Sequence, residues 1–137
     1  RLAIFGADQD RWVLDKARNN LAAAGYADAI ELKLSDALDL KPPTPVGTIV
    51  TNPPYGERLG ETEDLADWYP LLGDWLKQNF SGWEAWIISG DPLLPKLIGL
   101  KASRRIPLFN GPIETRFLHY KLIAGSMKTK KTTDIAT

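Results

Sequence analysis

The sequence predicts an α/β domain, an open sheet with helices on its faces. Three observations lead there. Short apolar runs of strand length alternate along the chain with segments whose apolar residues recur at helical spacing. Proline and glycine mark the joints between them. Asp8, Asp36 and Asn52 each fall where a strand is expected to end, the position at which open α/β sheets gather their ligands.

Residues 2–7 form a short apolar run without clear alternation, which reads as a buried parallel strand. Asp8 or Asp10 can then cap a helix over about 10–24, with Val13, Ala17, Leu21 and Ala24 at helical spacing and Gly25 as its stop. Residues 29–34 alternate as a strand does and end at Ser35-Asp36. The prolines at 42, 43 and 45 exclude a regular element before the next strand, 46–51. That strand runs into Asn52-Pro53-Pro54-Tyr55-Gly56, where two adjacent prolines force an extended loop that continues through 57–62. Leu65, Trp68, Leu72, Trp75 and Leu76 predict a helix over 64–80 that Pro70 should kink or restart near Trp68-Tyr69. A strand over 83–89, a short helix from Asp91-Pro92 to Ile98, and a closing pair of strands, 104–109 and 116–123, around Asn110-Gly111-Pro112 complete the pattern.

Composition narrows the function. Of 137 residues, 44% are hydrophobic and 25% charged, which excludes a disordered tail or a low-complexity linker. The absence of cysteine excludes a disulfide framework, a cysteine zinc site and a thiol nucleophile, so no metal is expected. No apolar run reaches the roughly 20 residues of a membrane span, and the reading is a cytoplasmic protein. The 17 basic and 17 acidic side chains balance overall but not locally. Residues 1–100 hold nine basic and 15 acidic side chains, whereas residues 101–137 hold eight and two. The last quarter is therefore either a face for a polyanion or a solvated basic tail, with Lys128, Lys130 and Lys131 in a Thr-rich end.

The most specific feature is Asn52-Pro53-Pro54-Tyr55. Two prolines fix the backbone, so the Asn52 side-chain carbonyl and the Pro53 carbonyl form a set pair of acceptors that can grip one NH2 group. A nucleobase amine is a poor nucleophile because its lone pair is delocalised into the ring. Accepting its two hydrogens off the plane frees that pair for attack. Tyr55 can stack on the extruded base. Alternatively, the prolines make only a stiff turn.

Asn52-Pro53-Pro54-Tyr55 resembles motif IV of the amino methyltransferases that use S-adenosylmethionine. The longer run through Gly56-Glu57-Arg58-Leu59-Gly60 resembles the bacterial large-subunit rRNA guanine-N2 methyltransferases of the RlmL type. Phe5-Gly6-Ala7-Asp8-Gln9-Asp10, Phe80-Ser81-Gly82-Trp83 and Phe109-Asn110-Gly111-Pro112-Ile113 are similar to further landmarks of that family. The likeness extends to about residue 123.

The resemblance implies a Rossmann-like class I fold and methyl transfer from S-adenosyl-L-methionine to the N2 amine of a guanine in 23S rRNA. By the same likeness Asp8 binds the cofactor ribose, Asp36 the adenine amine, and Ala37 lies beside the adenine ring. Asn52, Pro53, Pro54 and Tyr55 carry the catalytic turn, and Asn52 also touches the cofactor. Glu57 and Arg58 order the loop or meet RNA. Without the resemblance, Asp8 and Asp36 read equally as a helix cap and a turn former. His119 reads as a plain strand histidine, and the five tryptophans read as packing.

The family's first strand, its Gly-x-Gly loop and its amino-terminal THUMP region have no counterpart among these residues. Residues 1–124 are therefore expected to be the carboxyl-terminal portion of the methyltransferase domain, and 125–137 a basic tail without packed structure. In the family's strand order the missing strand lies centrally. Its absence predicts that the strand at 2–7 pairs directly with the strand at 46–51, or that a second copy fills the gap by strand exchange. Two other readings stay open: part of an adenine-N6 DNA methyltransferase, and a catalytically empty remnant that binds RNA through its basic quarter.

Overall fold

A computed structural model describes residues 2–54 and 64–123. It divides into two compact units, Arg1–Lys41 and Pro42–Thr137.

The first unit is a strand–helix–strand element. β1 (Phe5–Asp8) pairs in parallel with β2 (Glu31–Leu34), Asp8 opposite Leu34, and α1 (Arg11–Ala23) connects them. Asp10 caps α1, its Oδ1 accepting from the amides of Trp12 at 2.8 Å and Val13 at 3.4 Å. Gly25, at φ +86°, takes the left-handed conformation that closes the helix. The buried stripe differs from the expected one: Leu14 is buried and Ala17 and Leu21 are half-buried, while Val13 and Ala24 face solvent. The first strand is parallel as expected but not buried, since a two-stranded sheet with one helix leaves Leu2, Ile4 and Phe5 about half exposed.

The second unit holds a four-stranded sheet in the order β3-β4-β6-β5. β3 (Thr48–Thr51) lies parallel to β4 (Glu84–Ser89), while β6 (Ile113–Lys121) is antiparallel to both β4 and β5 (Arg104–Asn110). Strand alternation sends Ala85, Ile87, Leu118 and Tyr120 into the core and leaves Trp86, Ile88 and Phe117 half-buried on the other face.

α2 (Leu65–Asn79) buries Leu65, Trp68, Tyr69, Leu72, Gly73, Trp75 and Leu76, a stripe at helical spacing, and Asp64 caps it. α2 runs unbroken through Pro70, so the helix does not restart there. Pro70 lies on the exposed face, so the Ala66 carbonyl whose partner it removes is on the solvent side of the helix. α3 (Leu93–Leu97) follows β4. Edge-to-face contacts of Phe80 with Trp75 and Trp83, at 4.8 and 5.2 Å, close the end of the core.

Two expectations about the strands are corrected. The strands of the closing pair are longer than expected because Asn110 pairs with Ile113 across a two-residue Gly111-Pro112 turn, with Gly111 at φ +61°. The β-branched Ile113 and Thr115 continue the ladder into what read as loop. Direct pairing of the first strand with the strand at 46–51 is also absent among the described residues. β1 uses its ladder on β2 and β3 uses its ladder on β4, in two separate sheets. No helix among the described residues is long and apolar enough to cross a membrane.

Candidate active site

Within the first unit the parallel register sets Asp8 and Ser35-Asp36 at one edge, the carboxyl ends of β1 and β2. The Ser35 amide donates to the Asp8 carbonyl at 3.0 Å and ties the two loops together. The Asp8 side chain is half-buried and its Oδ1 accepts from the Asp10 amide at 2.8 Å, an Asx-type turn that leads into α1. Asp36 is exposed and caps the short 3-10 turn Ala37–Asp39, its Oδ1 accepting from the Leu38 amide at 3.0 Å. Ala37 is exposed beside it. In both carboxylates Oδ2 has no protein partner among the described residues. Two such oxygens on one edge have the chemistry to accept from vicinal hydroxyls and from an aromatic amine, so these residues fit an adenosyl group.

Within the second unit Asn52 follows the last residue of β3 and is exposed, Pro53 is buried, and Pro54 is exposed again. A buried proline between two exposed neighbours pins the turn while leaving the Asn52 amide accessible. Tyr55, Glu57 and Arg58 lie outside the described residues.

Sequence reasoning missed a partner of this edge. Because Thr51 pairs with Ile87, Ser89-Gly90-Asp91 leaves β4 on the same side as Asn52 leaves β3. The Asp91 carboxylate is held by the Tyr69 hydroxyl at 2.6 Å and by the Leu93 amide at 2.9 Å, while Ser89 Oγ accepts from the Asp91 amide at 3.1 Å. Tyr69 is fully buried. Burial first, then its hydrogen bond to Asp91 and that carboxylate's charge, push its phenol well above the usual tyrosine range. The sequence marked Asp91 as a helix start; its link to Tyr69, 22 residues earlier, had no local signal.

His119 is more than a plain strand histidine. Its Nδ1 meets Ser103 Oγ at 2.8 Å, its Nε2 meets the Glu84 carboxylate, and its ring stacks on Trp86 at 4.2 Å. The carboxylate was invisible to the sequence because it lies on the neighbouring strand, near the amino end of β4 and away from the edge that carries Asn52. The tryptophans also divide. Trp68, Trp75 and Trp83 are buried, whereas Trp12 is 70% exposed with Lys16 over its ring.

Comparison with known proteins decides the family. The model of the UPF0020 family, RMKL-like methyltransferase domain, matches residues 1–119. The chain belongs to this methyltransferase family. A Synechocystis sp. protein provisionally named as an RNA methyltransferase is 40% identical over 119 residues, 87% of this chain and 31% of that protein. The ribosomal RNA large subunit methyltransferase K/L of Shewanella frigidimarina is 39% identical over 128 residues, 93% of this chain and 18% of that protein. Among solved structures, the methyltransferase SMU.472 in complex with SAH superposes with a TM-score of 0.79 at 28% identity, over 86% of this chain and 31% of that one. The chain thus spans about a third of the length of the first of these relatives and under a fifth of the second. Its mixed sheet is that of the class I methyltransferases, and the methyl donor of this family is S-adenosylmethionine.

Proposed function

We propose that this domain serves the transfer of a methyl group from S-adenosylmethionine to the exocyclic N2 amine of a guanine in 23S rRNA. The observation that carries the reading is the Asn52-Pro53-Pro54 turn, with an exposed amide on a buried proline, at the carboxyl edge of β3. The name of the Shewanella relative supports large-subunit rRNA as the substrate class.

When bound, S-adenosylmethionine supplies an electrophilic methyl group, and the protein needs no nucleophile of its own. Asp8 and Asp36 hold the ribose hydroxyls and the adenine amine, with Ala37 against the ring. The Asn52 side-chain carbonyl and the Pro53 carbonyl accept the two amine hydrogens and direct the nitrogen lone pair out of the base plane. Pro54 keeps that geometry, and Tyr55 stacks on the base. Transfer would form the N–C bond as the sulfonium S–C bond breaks, leaving S-adenosylhomocysteine, and the surplus amine proton would pass to water, so catalysis is positioning and electrostatics. Residues 1–124 contribute this part of the catalytic domain, and 125–137 form a basic extension.

The test uses the full chain, 23S rRNA and methyl-labelled S-adenosylmethionine, followed by nucleoside analysis. The expected product is N2-methylguanosine. It should fall by two orders of magnitude or more in Asn52→Ala, and cofactor binding by calorimetry should fall in Asp8→Ala. Label in N6-methyladenine of duplex DNA instead would overturn the guanine reading.

A further inference from the structure

We infer that the projecting end of the β5–β6 hairpin is a binding surface for single-stranded RNA flanking the target nucleotide; this rests on the RNA reading above. The sheet's register supplies the geometry. Ser89, the last residue of β4, pairs with Arg116, and β6 runs three residues further, to Ile113 opposite Asn110. Three residues of strand extend roughly 10 Å. Because β5 runs parallel to β3 and β4, its carboxyl end points the same way as Asn52. The hairpin therefore stands proud of the edge that carries the candidate catalytic turn.

What the hairpin displays, at and below its projecting end, is unlike an ordinary sheet edge. Directly opposed residues share a face, so Arg105, Pro107 and Phe109 lie on one side together with Arg116, opposite Pro107, and Glu114, opposite Phe109. All five are exposed, and Phe109 is 70% exposed. A large aromatic side chain left in water, with Arg116 diagonally across from it and Arg105 four residues back along the same strand face, matches single-stranded RNA, whose unstacked bases stack on aromatics and whose phosphates pair with arginine. Arg116 contacts Glu114 at 3.0 Å, but both side chains are half exposed, so this surface pair is weak and a phosphate can displace the carboxylate. Over residues 101–123 there are five basic side chains against Glu114 alone, in a chain otherwise rich in acid. That charge favours a polyanion over a neutral or basic partner.

The experiment is fluorescence anisotropy of the full chain with a labelled single-stranded RNA oligonucleotide, repeated across a salt series. The variants are Phe109→Ala, the double variant Arg105→Gln with Arg116→Gln, and, as a control for charge alone, Lys16→Gln with Arg18→Gln on α1. Phe109→Ala is expected to weaken binding about tenfold. The arginine pair should weaken binding and flatten the salt slope by about 1.4, with the control unchanged. Circular dichroism and the thermal unfolding midpoint, measured on the same samples, report whether each variant is folded. RNA affinity unchanged in both hairpin variants, or lost equally in the control, overturns the inference while leaving the methyl-transfer assay of the previous section untouched. Loss of RNA binding in the hairpin variants upholds it even if the methylated base is not guanine.

Discussion

The hydroxyl of Tyr69, in the middle of α2, donates a 2.6 Å hydrogen bond to the carboxylate of Asp91, two residues beyond β4. It joins the helix that follows the Asn52-Pro53-Pro54 turn to the loop that leaves the neighbouring strand. Tyr69→Phe keeps the buried ring and removes only this bond, so the expected cost is about 1–2 kcal/mol. Asp91→Ala also removes the contact that caps the Leu93 amide and should cost about 1 kcal/mol more. Urea unfolding of the two variants and the parent checks the order; equal midpoints for the two variants would show that the Leu93 contact adds nothing, and a Tyr69→Phe midpoint equal to the parent's would show that the bond to Tyr69 carries no stability.

Gly73 is required by contact rather than by backbone conformation. A Cβ at this position of α2 would lie 1.7 Å from the Ile98 carbonyl oxygen at the end of α3. Helix propensity alone favours Gly73→Ala by about 1 kcal/mol. The clash with backbone outweighs it, and the variant should lose about 3 kcal/mol or more as α3 is pushed from α2. Thermal denaturation showing Gly73→Ala as stable as the parent would mean that the two helices do not meet this closely.

Tyr120 is buried and its hydroxyl has no hydrogen-bond partner among the described residues. Burial pushes its pKa from 10 up to about 12, against the opposing charge of Arg105. A phenol with a raised folded-state pKa holds its proton longer than the unfolded chain does. Its contribution is complete below pH 10 and is lost as the pH rises towards about 12. Tyr69 acts in the same direction. Tyr120→Phe, which removes an unpaired polar group, should be neutral or stabilising by about 1 kcal/mol at pH 7 and should flatten the alkaline decline. A steeper decline in the variant would contradict the assignment.

Ser103, His119 and Glu84 join the start of β5, β6 and β4 across the amino half of the sheet. Removing Ser103 Oγ deletes contacts to both Nδ1 and the carbonyl of His119, at 2.8 and 3.1 Å. Ser103→Ala and Glu84→Ala should each cost about 1 kcal/mol. Because they share one ring, their combined effect should depart from additivity by about 0.5 kcal/mol or more. A double-mutant cycle by chemical denaturation measures this, and strict additivity would mean that the ring does not couple them.

Much of the site could be read from local chemistry. The order of elements followed from apolar periodicity and from prolines that break it. The Asn52-Pro53-Pro54 turn is local because proline fixes its own backbone and that of the residue before it. The caps at Asp10, Asp36 and Asp64 are equally local, each side chain accepting from amides two or three residues ahead. Asp8 and Asp36 were foreseen at strand ends, and parallel pairing brings those ends together.

Only the tertiary structure decided which strand neighbours which, since a ladder partner is chosen by long-range packing and leaves no signature in either strand's own residues. Among the described residues β1 thus pairs with β2 alone, and β6 lies between β4 and β5. The same pairing gave His119 its carboxylate from Glu84 and Tyr69 its acceptor in Asp91. It also carried the Gly111-Pro112 hairpin past the end of β4, where Phe109 stands exposed on the face that also bears Arg105 and Arg116. The chain by itself determined its elements and its Asn52-Pro53-Pro54 turn, because those depend on neighbours in sequence. The partners of each side chain depend on neighbours in space.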